Sequence, residues 1–231
     1  MFEMLNKTKD WLLDVLLPKF CVGCGKEGLY ICKDCEVFLS EIENTTPGLT
    51  SVWEYEGLME KLIHKIKFDG CYHIIDELAE KALGKIDLKL SEDTVITYVP
   101  MWKKKERRRG FNQSELIAQK IGNVLGLAKH ALLEKTRDNR SQVGLGPIER
   151  EENVKGVFAL NPLSFPSALP RFGGALRDSE NPGGLAPIPR NALLVDDVYT
   201  TGATMRGCMK VLRKAGVKNV YGFTLARKLS V

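Results

Sequence analysis

Apolar and polar positions along the chain follow patterns that predict strands and helices in alternation. Apolar residues recur at helical spacing from Leu58 to Ile66, and a second helical stretch continues to about Lys85. Short β-branched or apolar runs predict strands at residues 51–55, 94–99, 191–196 and 220–226. Further helical patterns follow two of these strands, at residues 112–125 and 202–215. This alternation indicates an α/β fold with an open, mostly parallel sheet.

Three stretches that lack this periodicity divide the chain. Residues 45–50 contain Pro47 and Gly48 and are predicted to link an amino-terminal module, residues 1–45, to a main domain, residues 51–231. The module is predicted to begin with a short amphipathic helix at residues 3–17. Residues 134–156 are polar and charged and predict a flexible lid. Residues 161–189 are dense in proline, glycine and serine and predict a flexible insertion.

Composition excludes several classes of protein. Apolar residues make up 44% of the chain and charged residues 27%, which is typical of a folded globular protein rather than a disordered or fibrous one. No apolar run approaches the roughly 20 residues that span a bilayer. The amino terminus carries Glu3 and Asp10 before a short apolar stretch, unlike a secretory signal. We therefore expect a cytoplasmic protein without a membrane span.

Four cysteines form a C-x2-C-x7-C-x2-C motif in the amino-terminal module. They are Cys21, Cys24, Cys32 and Cys35. Two such pairs can surround one Zn²⁺ in a closed tetrahedral site, which stabilises a segment too short to have its own core. Disulfides and a redox-active pair are the alternatives, but a reducing cytosol disfavours the first and no thioredoxin-like context supports the second. The motif predicts a structural zinc site.

Basic charge is concentrated in one decapeptide, MWKKKERRRG, which spans residues 101–110. It holds six basic residues and Glu106, a net charge of +5 that equals the net charge of the whole chain. A single patch of this kind indicates a local site for phosphate, pyrophosphate or a nucleic-acid backbone, and a solvated surface loop is the simpler alternative. Trp102 is a candidate for stacking on a base. The nucleic-acid candidates beside it are Lys103, Lys104, Lys105, Arg107 and Arg108.

The segment NALLVDDVYTTGAT carries the clearest chemistry. Its apolar strand delivers Asp196 and Asp197 at the carboxyl end, where α/β sheets bind ligands. The next residues are small, so their backbone amides and the following helix amino terminus can hold a monophosphate; they are Thr200, Thr201, Gly202, Ala203 and Thr204. Adjacent carboxylates can accept hydrogen bonds from vicinal hydroxyls and help to hold Mg²⁺. Ribose 5-phosphate offers both groups, and a salt partner on these acids inside the protein would count against this assignment.

LLVDDVYTTGAT resembles the phosphoribosyl pyrophosphate (PRPP) signature of type I phosphoribosyltransferases. The order of the cysteine motif, YEGLMEKLIHKIKFDG, VPMWKKKERRRGFNQSELIAQ and R-x4-Q-x7-R-x2-NVKGVF is similar to that of the ComF family of competence proteins. The resemblance covers nearly the whole chain. It implies a phosphoribosyltransferase-like sheet with a helical hood, an amino-terminal zinc module and a role in natural transformation and DNA uptake.

The same resemblance implies roles for individual residues. Asp196 and Asp197 would hold the ribose hydroxyls, and residues 200–204 the 5-phosphate. Pro100 and Met101 would begin the loop that receives pyrophosphate. Departure of pyrophosphate leaves an oxocarbenium-like sugar, so the site needs cations and a lid against water. The residues that the resemblance places in these two roles are Arg109, Lys135 and Arg137.

Two hypotheses from different classes follow. In the first, the protein is an enzyme that transfers a phosphoribosyl group from PRPP, with Mg²⁺, to an acceptor. Thr200 stands where related purine enzymes have an aspartate base, so the acceptor is not indicated. In the second, the protein is a non-catalytic adaptor that handles single-stranded DNA beside uptake and recombination proteins and keeps the PRPP pocket as a vestige or sensor.

Overall fold

The computed structural model describes residues 18–42, 46–138, 156–162, 164 and 188–229. The helix predicted at residues 3–17 lies outside these residues. So do residues 139–155 of the predicted lid and most of the predicted insertion. The division of the chain into a module and a main domain stays a prediction.

A parallel sheet of four strands forms the centre of the described structure, in the order β1, β6, β5, β2. A separate antiparallel pair, β3 with β4, lies outside it. The strands are β1 (Leu49–Glu54), β2 (Thr94–Tyr98), β3 (Leu133–Lys135), β4 (Phe158–Leu160), β5 (Asn191–Tyr199) and β6 (Asn219–Arg227). The predicted α/β fold with a mostly parallel sheet is confirmed.

Strand β5 shows why this sheet is central. Its residues 192–195 are completely buried, as expected for a parallel strand with both faces covered. Leu193 and Val195 pack with one group of helices, whereas Ala192 and Leu194 pack with another. The sheet is therefore the middle layer of three.

Six helices fall within the described residues. They are α1 (Lys33–Glu36), α2 (Gly57–Phe68), α3 (Ile74–Leu83), α4 (Lys103–Arg109), α5 (Gln113–Leu125) and α6 (Ala203–Lys214). Helices α2, α3 and α5 share one hydrophobic core with Leu193 and Val195, and α6 packs on the opposite face through Cys208 and Leu212. None of these helices has the length and apolar character needed to cross a bilayer. Helices α2 and α3 form the expected hood.

Helix α4 corrects the expectation that the basic decapeptide is a loop. Lysine, arginine and glutamate are good helix formers, and nothing in KKKERRR breaks a helix. The helix ends at Gly110, which adopts a left-handed conformation with φ 89°. The positive charges are therefore arranged around a helix, which separates them onto two faces.

The cysteine segment packs directly against the hood. The backbone N–H groups of Tyr30 and Ile31 donate to the Glu77 carboxylate of α3 at 3.1 and 3.0 Å. Lys81 of the same helix donates to Glu36 at 2.5 Å. Ile31 is fully buried in the core shared with α2 and α3. A change in the cysteine segment is thus transmitted to the helices that border the sheet edge.

Candidate functional site

A cavity of about 250 Å³ opens at the carboxyl end of the parallel strands. Its floor is the end of β5, and its sides are the residues that follow β2 and the amino termini of α5 and α6. Tyr55, Lys67, Lys105 and Lys135 complete the wall from other parts of the chain. This is the position at which open α/β sheets bind ligands.

Most of the predicted sugar-phosphate residues lie together in this cavity. Those that line it are Pro100, Met101, Lys135, Asp196, Asp197, Thr200, Gly202, Ala203 and Thr204. Lys105, which was predicted to contact nucleic acid, lines the cavity as well. The remaining predicted residues are not part of its lining; they are Trp102, Lys103, Lys104, Arg107, Arg108, Arg109, Arg137 and Thr201. Residues that are up to about a hundred positions apart in the sequence therefore lie close together at one edge of the sheet.

Asp196 is held in place by two hydrogen bonds. Ser114 Oγ donates to Asp196 Oδ1 at 2.8 Å, and the Asp197 N–H donates to the same oxygen at 2.9 Å. Burial, followed by repulsion from Asp197, raises the pKa of Asp196 to about 7. Both protonation states of this carboxyl are therefore populated near neutral pH, so its capacity to accept hydrogen bonds depends on pH.

Asp197 has a salt partner inside the protein. Lys67, near the end of hood helix α2, contacts Asp197 Oδ2 through its ammonium group. Burial alone raises the pKa of Asp197, but the charge and hydrogen bond of Lys67 lower it overall. Burial likewise lowers the pKa of Lys67, and attraction to Asp197 raises it overall. The pair is ionised, and this is the kind of contact that counts against a fully available pair of acids.

The turn between β5 and α6 has the shape of an anion cradle. Gly202 adopts φ 75°, a conformation that disfavours other residues, and a Cβ there would lie within about 2.1 Å of the Tyr199 hydroxyl. The Tyr199 ring therefore lies against the backbone at a position that only glycine can occupy. Helix α6 then begins at the cavity with the positive end of its dipole, and the N–H of its first residue, Ala203, donates to Thr201 Oγ1 at 3.5 Å.

Cations oppose these acids across the cavity. Burial, and next the charge of Arg109, lower the pKa of Lys105. Burial, and next the charge of Lys105, lower the pKa of Lys135. Arg109 stands just behind the wall, where its Nη1 donates at 2.5 Å to Gln113, which lines the cavity. Repulsion among these groups is relieved by an anion, so the wall favours a phosphate or pyrophosphate ligand.

The two faces of α4 have different surroundings. Lys105 and Arg109 are one helical turn apart on the face toward the cavity. The other basic residues of the helix are exposed, and none makes a salt bridge within the part of the chain that the structure describes; they are Lys103, Lys104, Arg107 and Arg108. Trp102 is only half-buried and caps the start of the helix. The basic decapeptide thus serves two separate surfaces.

The four motif cysteines form a compact cluster. Their sulfur atoms all lie within 4.8 Å of one another, and Cys24 Sγ is 3.6 Å from Cys32 Sγ. Four sulfurs around one Zn²⁺ at about 2.3 Å stand about 3.8 Å apart, so these distances fit a tetrahedral zinc site. All six cysteines of the chain are free thiols, as expected if the motif binds metal rather than forming disulfides.

Backbone N–H groups prepare one of these sulfurs for a metal ion. Burial alone raises the pKa of the Cys21 thiol, but N–H groups of Cys32, Cys24 and Gly23 lower it to about 6. Burial raises the pKa of Cys35 well above its ordinary value. A divalent cation at the centre would favour the thiolate form of all four groups. The cluster supports the predicted structural zinc.

Comparisons with known proteins are consistent with this architecture. No protein-family model matches the chain. Competence protein F of Haemophilus influenzae is 29% identical over 90% of this chain and 84% of its own length. Competence protein ComFC of Streptococcus pneumoniae is 28% identical, with 90% and 80% coverage. The DNA utilization protein YhgH of Salmonella typhimurium is 29% identical, with 78% and 72% coverage.

The chain is similar over most of its length to ComF-type competence proteins. This confirms the resemblance drawn from the order of its sequence motifs. Several residues that shape the cavity were not assigned a role from the sequence. Tyr55 and Lys67 lie in YEGLMEKLIHKIKFDG and Ser114 lies in VPMWKKKERRRGFNQSELIAQ, but neither segment shows which of its residues faces the cavity. The packing of α2 and α5 on the sheet brings Lys67 to Asp197 and Ser114 to Asp196.

Proposed function

We propose that this protein binds PRPP, or ribose 5-phosphate, at the carboxyl edge of its sheet and acts in the uptake or utilisation of DNA. The observation that supports this most directly is the cavity itself, which joins a helix amino terminus, two acids and three lysines. The names of its relatives supply the biological context, because they describe competence and DNA utilization.

The chemistry of the cavity matches the parts of such a ligand. A 5-phosphate would lie at the amino terminus of α6, over the turn that Gly202 makes possible. Hydroxyls of the sugar would donate to Asp196, whose Oδ1 is already oriented by Ser114. A pyrophosphate group would face Lys105 and Lys135. The phosphate and pyrophosphate groups would therefore contact positive charge, and the sugar hydroxyls would contact a hydrogen-bond acceptor.

The Lys67 contact restricts this arrangement. Asp197 already has one oxygen engaged, so a second sugar hydroxyl needs either the other oxygen or a shift of Lys67. Lys67 is itself a cation on the cavity wall, and an incoming phosphate would compete with Asp197 for it. We therefore assign Asp196 the leading role in holding the sugar.

Magnesium would enter with the substrate. Mg²⁺ keeps several waters and is usually held by substrate phosphates with one or two carboxylates, which suits a site with two acids beside a pyrophosphate position. Bound to PRPP, it would neutralise part of the charge that develops on the leaving pyrophosphate. In phosphoribosyl transfer, Lys105, Lys135 and the neighbouring Arg109 would stabilise that same charge, while the sugar passes to an acceptor.

Calorimetry with PRPP and saturating Mg²⁺ tests this proposal. We expect binding heat for the wild-type protein and at least tenfold weaker binding for Asp196→Asn, because Oδ1 is held by Ser114 and Asp197 and asparagine would place an N–H donor where Asp196 offers its other acceptor oxygen. The exposed Asp87→Asn variant is the matched control and should bind as the wild type does. Absence of heat with both PRPP and ribose 5-phosphate would overturn the proposal. Release of pyrophosphate that needs Mg²⁺ and disappears in Asp196→Asn would show that the protein is an enzyme.

The exposed basic face of α4 favours a second candidate function, handling of single-stranded DNA. Lys103, Lys104, Arg107 and Arg108 point away from the cavity wall and are free to contact a phosphate backbone. The variant Lys104→Ala/Arg108→Ala should weaken oligonucleotide binding and reduce the slope of log K against log salt by about 0.7 for each lost phosphate contact. Its affinity for PRPP should be unchanged, which separates this surface from the cavity. An unchanged salt slope would contradict this second function.

A further inference from the structure

An exposed aromatic cluster lies beside the cavity and is not explained by sugar-phosphate binding. Phe68, the last residue of α2, is 67% exposed, and Tyr72, in the turn before α3, is 45% exposed. The Tyr72 ring lies 5.7 Å from that of Phe111 in an edge-on arrangement, and the His64 ring lies 4.5 Å from that of Phe68. We call Phe68, Tyr72 and Phe111 the aromatic platform.

Two turns hold the platform in place. The turn between α2 and α3 passes through Gly70 at φ 72°, and the connection between α4 and α5 passes through Gly110 at φ 89°. Phe111, which follows Gly110, is partly buried against the main hydrophobic core. Phe111 thus anchors one side of the platform in the core, while the Phe68 and Tyr72 rings remain accessible to a ligand.

The charges around the platform favour a polyanion. The Arg109 guanidinium lies over the Phe68 ring, 5.9 Å from its centre. Each of the two nearby acids has a basic partner, since Asp69 pairs with Lys65 at 3.3 Å and Asp76 with Lys120 at 3.1 Å. Arg109 is the last residue of α4, and the exposed Arg108 directly precedes it. The platform therefore adjoins the end of α4 that carries these two arginines.

We propose that the aromatic platform stacks the bases of a single-stranded nucleic acid whose phosphates lie near Arg108 and Arg109 at the end of α4. The inference rests on the second candidate function and adds the site that contacts the bases. Exposed ring faces next to a basic track are the combination that binds single strands without sequence preference. A duplex keeps its base faces stacked inside and cannot use the platform. Trp102, the candidate suggested by the sequence, is half-buried at the start of α4 and presents less of its ring.

A thermodynamic cycle tests this inference with the full-length protein. The probes are an oligothymidylate of about 12 nucleotides and a matched oligonucleotide of the same length that lacks its bases. For the wild type, removal of the bases should weaken binding roughly tenfold or more, since each stacked base contributes at about that scale. For Phe68→Ala/Tyr72→Ala, the two probes should bind equally, because the phosphates remain and the stacking does not. The salt slope should be the same for both proteins.

Two further variants keep the result interpretable. Phe68→Leu/Tyr72→Leu retains apolar bulk but no ring face and should behave as the alanine variant does. Phe38→Ala removes an aromatic side chain that is 69% exposed in the cysteine segment, and it should behave as the wild type. If removal of the bases weakens binding equally for the wild type and for Phe68→Ala/Tyr72→Ala, the stacking inference is wrong. The second candidate function would still stand. Failure of the wild type to bind the oligothymidylate in a salt-dependent way would overturn the second candidate function as well.

Discussion

The cysteine cluster and the cavity at the sheet edge are built in opposite ways. All four ligands of the cluster lie between Cys21 and Cys35, and their spacing alone brings the sulfurs together. The cavity wall is drawn from positions between Tyr55 and Met205, on separate strands and helices. A local site can be read from the sequence, whereas a site assembled by packing depends on contacts that no short motif records. The two are joined through Glu77, which holds the cysteine segment on the hood.

The largest expected effect is on the local site. Replacement of Cys32, a buried member of the cluster, by serine removes one of four ligands. We expect loss of bound zinc and a decrease of about 5 kcal/mol or more in the free energy of unfolding, because a structural zinc site supplies folding energy directly. Metal analysis and denaturant unfolding measure both quantities. Cys71→Ser, outside the cluster, is the matched control, and equal zinc content in the two variants would contradict the assignment.

An intermediate effect is expected where the hood meets the sheet. Lys67→Met leaves Asp197 as a buried charge without its partner. Loss of one member of a buried pair costs about 3 to 5 kcal/mol, and we expect about 2 to 3 kcal/mol because the Lys67 side chain is 23% exposed. Denaturant unfolding measures the loss, with the exposed Lys61→Met of the same helix as the control.

The double variant Lys67→Met/Asp197→Asn sharpens this test. Removal of both charges should restore most of the stability that the single variant loses, because no buried charge remains unpaired. If the two single effects simply add, Lys67 and Asp197 do not stabilise each other, and the packing of the hood on the sheet edge does not depend on this pair.

The smallest expected effect concerns Asp196 and pH. Its pKa is raised from 3.8 to about 7 in the folded protein. Between these values the folded protein holds a proton that the unfolded chain has lost, so this group makes stability fall as pH rises through that window. Asp196→Asn cannot ionise, and we expect its Tm at pH 8 to exceed that of the wild type by a few degrees.

The control for this pH effect is Asp87→Asn, an exposed aspartate outside the cavity. Its Tm should follow the wild-type curve between pH 4 and pH 8, whereas the Asp196→Asn curve should be flatter. Asp197 acts in the opposite direction, since its lowered pKa adds stability that is lost only as the pH falls below its ordinary range. If Tm changes with pH in the same way for Asp196→Asn and for the wild type, the fold does not raise the pKa of Asp196.

Most of the sheet was predictable because its strands are short apolar runs with clear ends. Strand β2 was expected at residues 94–99 and spans Thr94–Tyr98, and helix α5 was expected from residue 112 and begins at Gln113. Strand β5 extends three residues further than expected, to Tyr199, because its polar end continues to pair with β6. The basic helix α4 was taken for a loop, since concentrated charge obscured a good helical sequence.

Most strands and helices, the four-cysteine cluster and the position of the two acids at the end of β5 follow from the sequence alone, because each depends on neighbours within a few residues. The packing of separate elements brings Lys67 to Asp197, Ser114 to Asp196 and the Arg109 guanidinium over the Phe68 ring. These contacts join residues on separate elements, and their geometry follows from how the hood packs on the sheet. The charge state of the acids is therefore a property of the fold rather than of the motif that contains them.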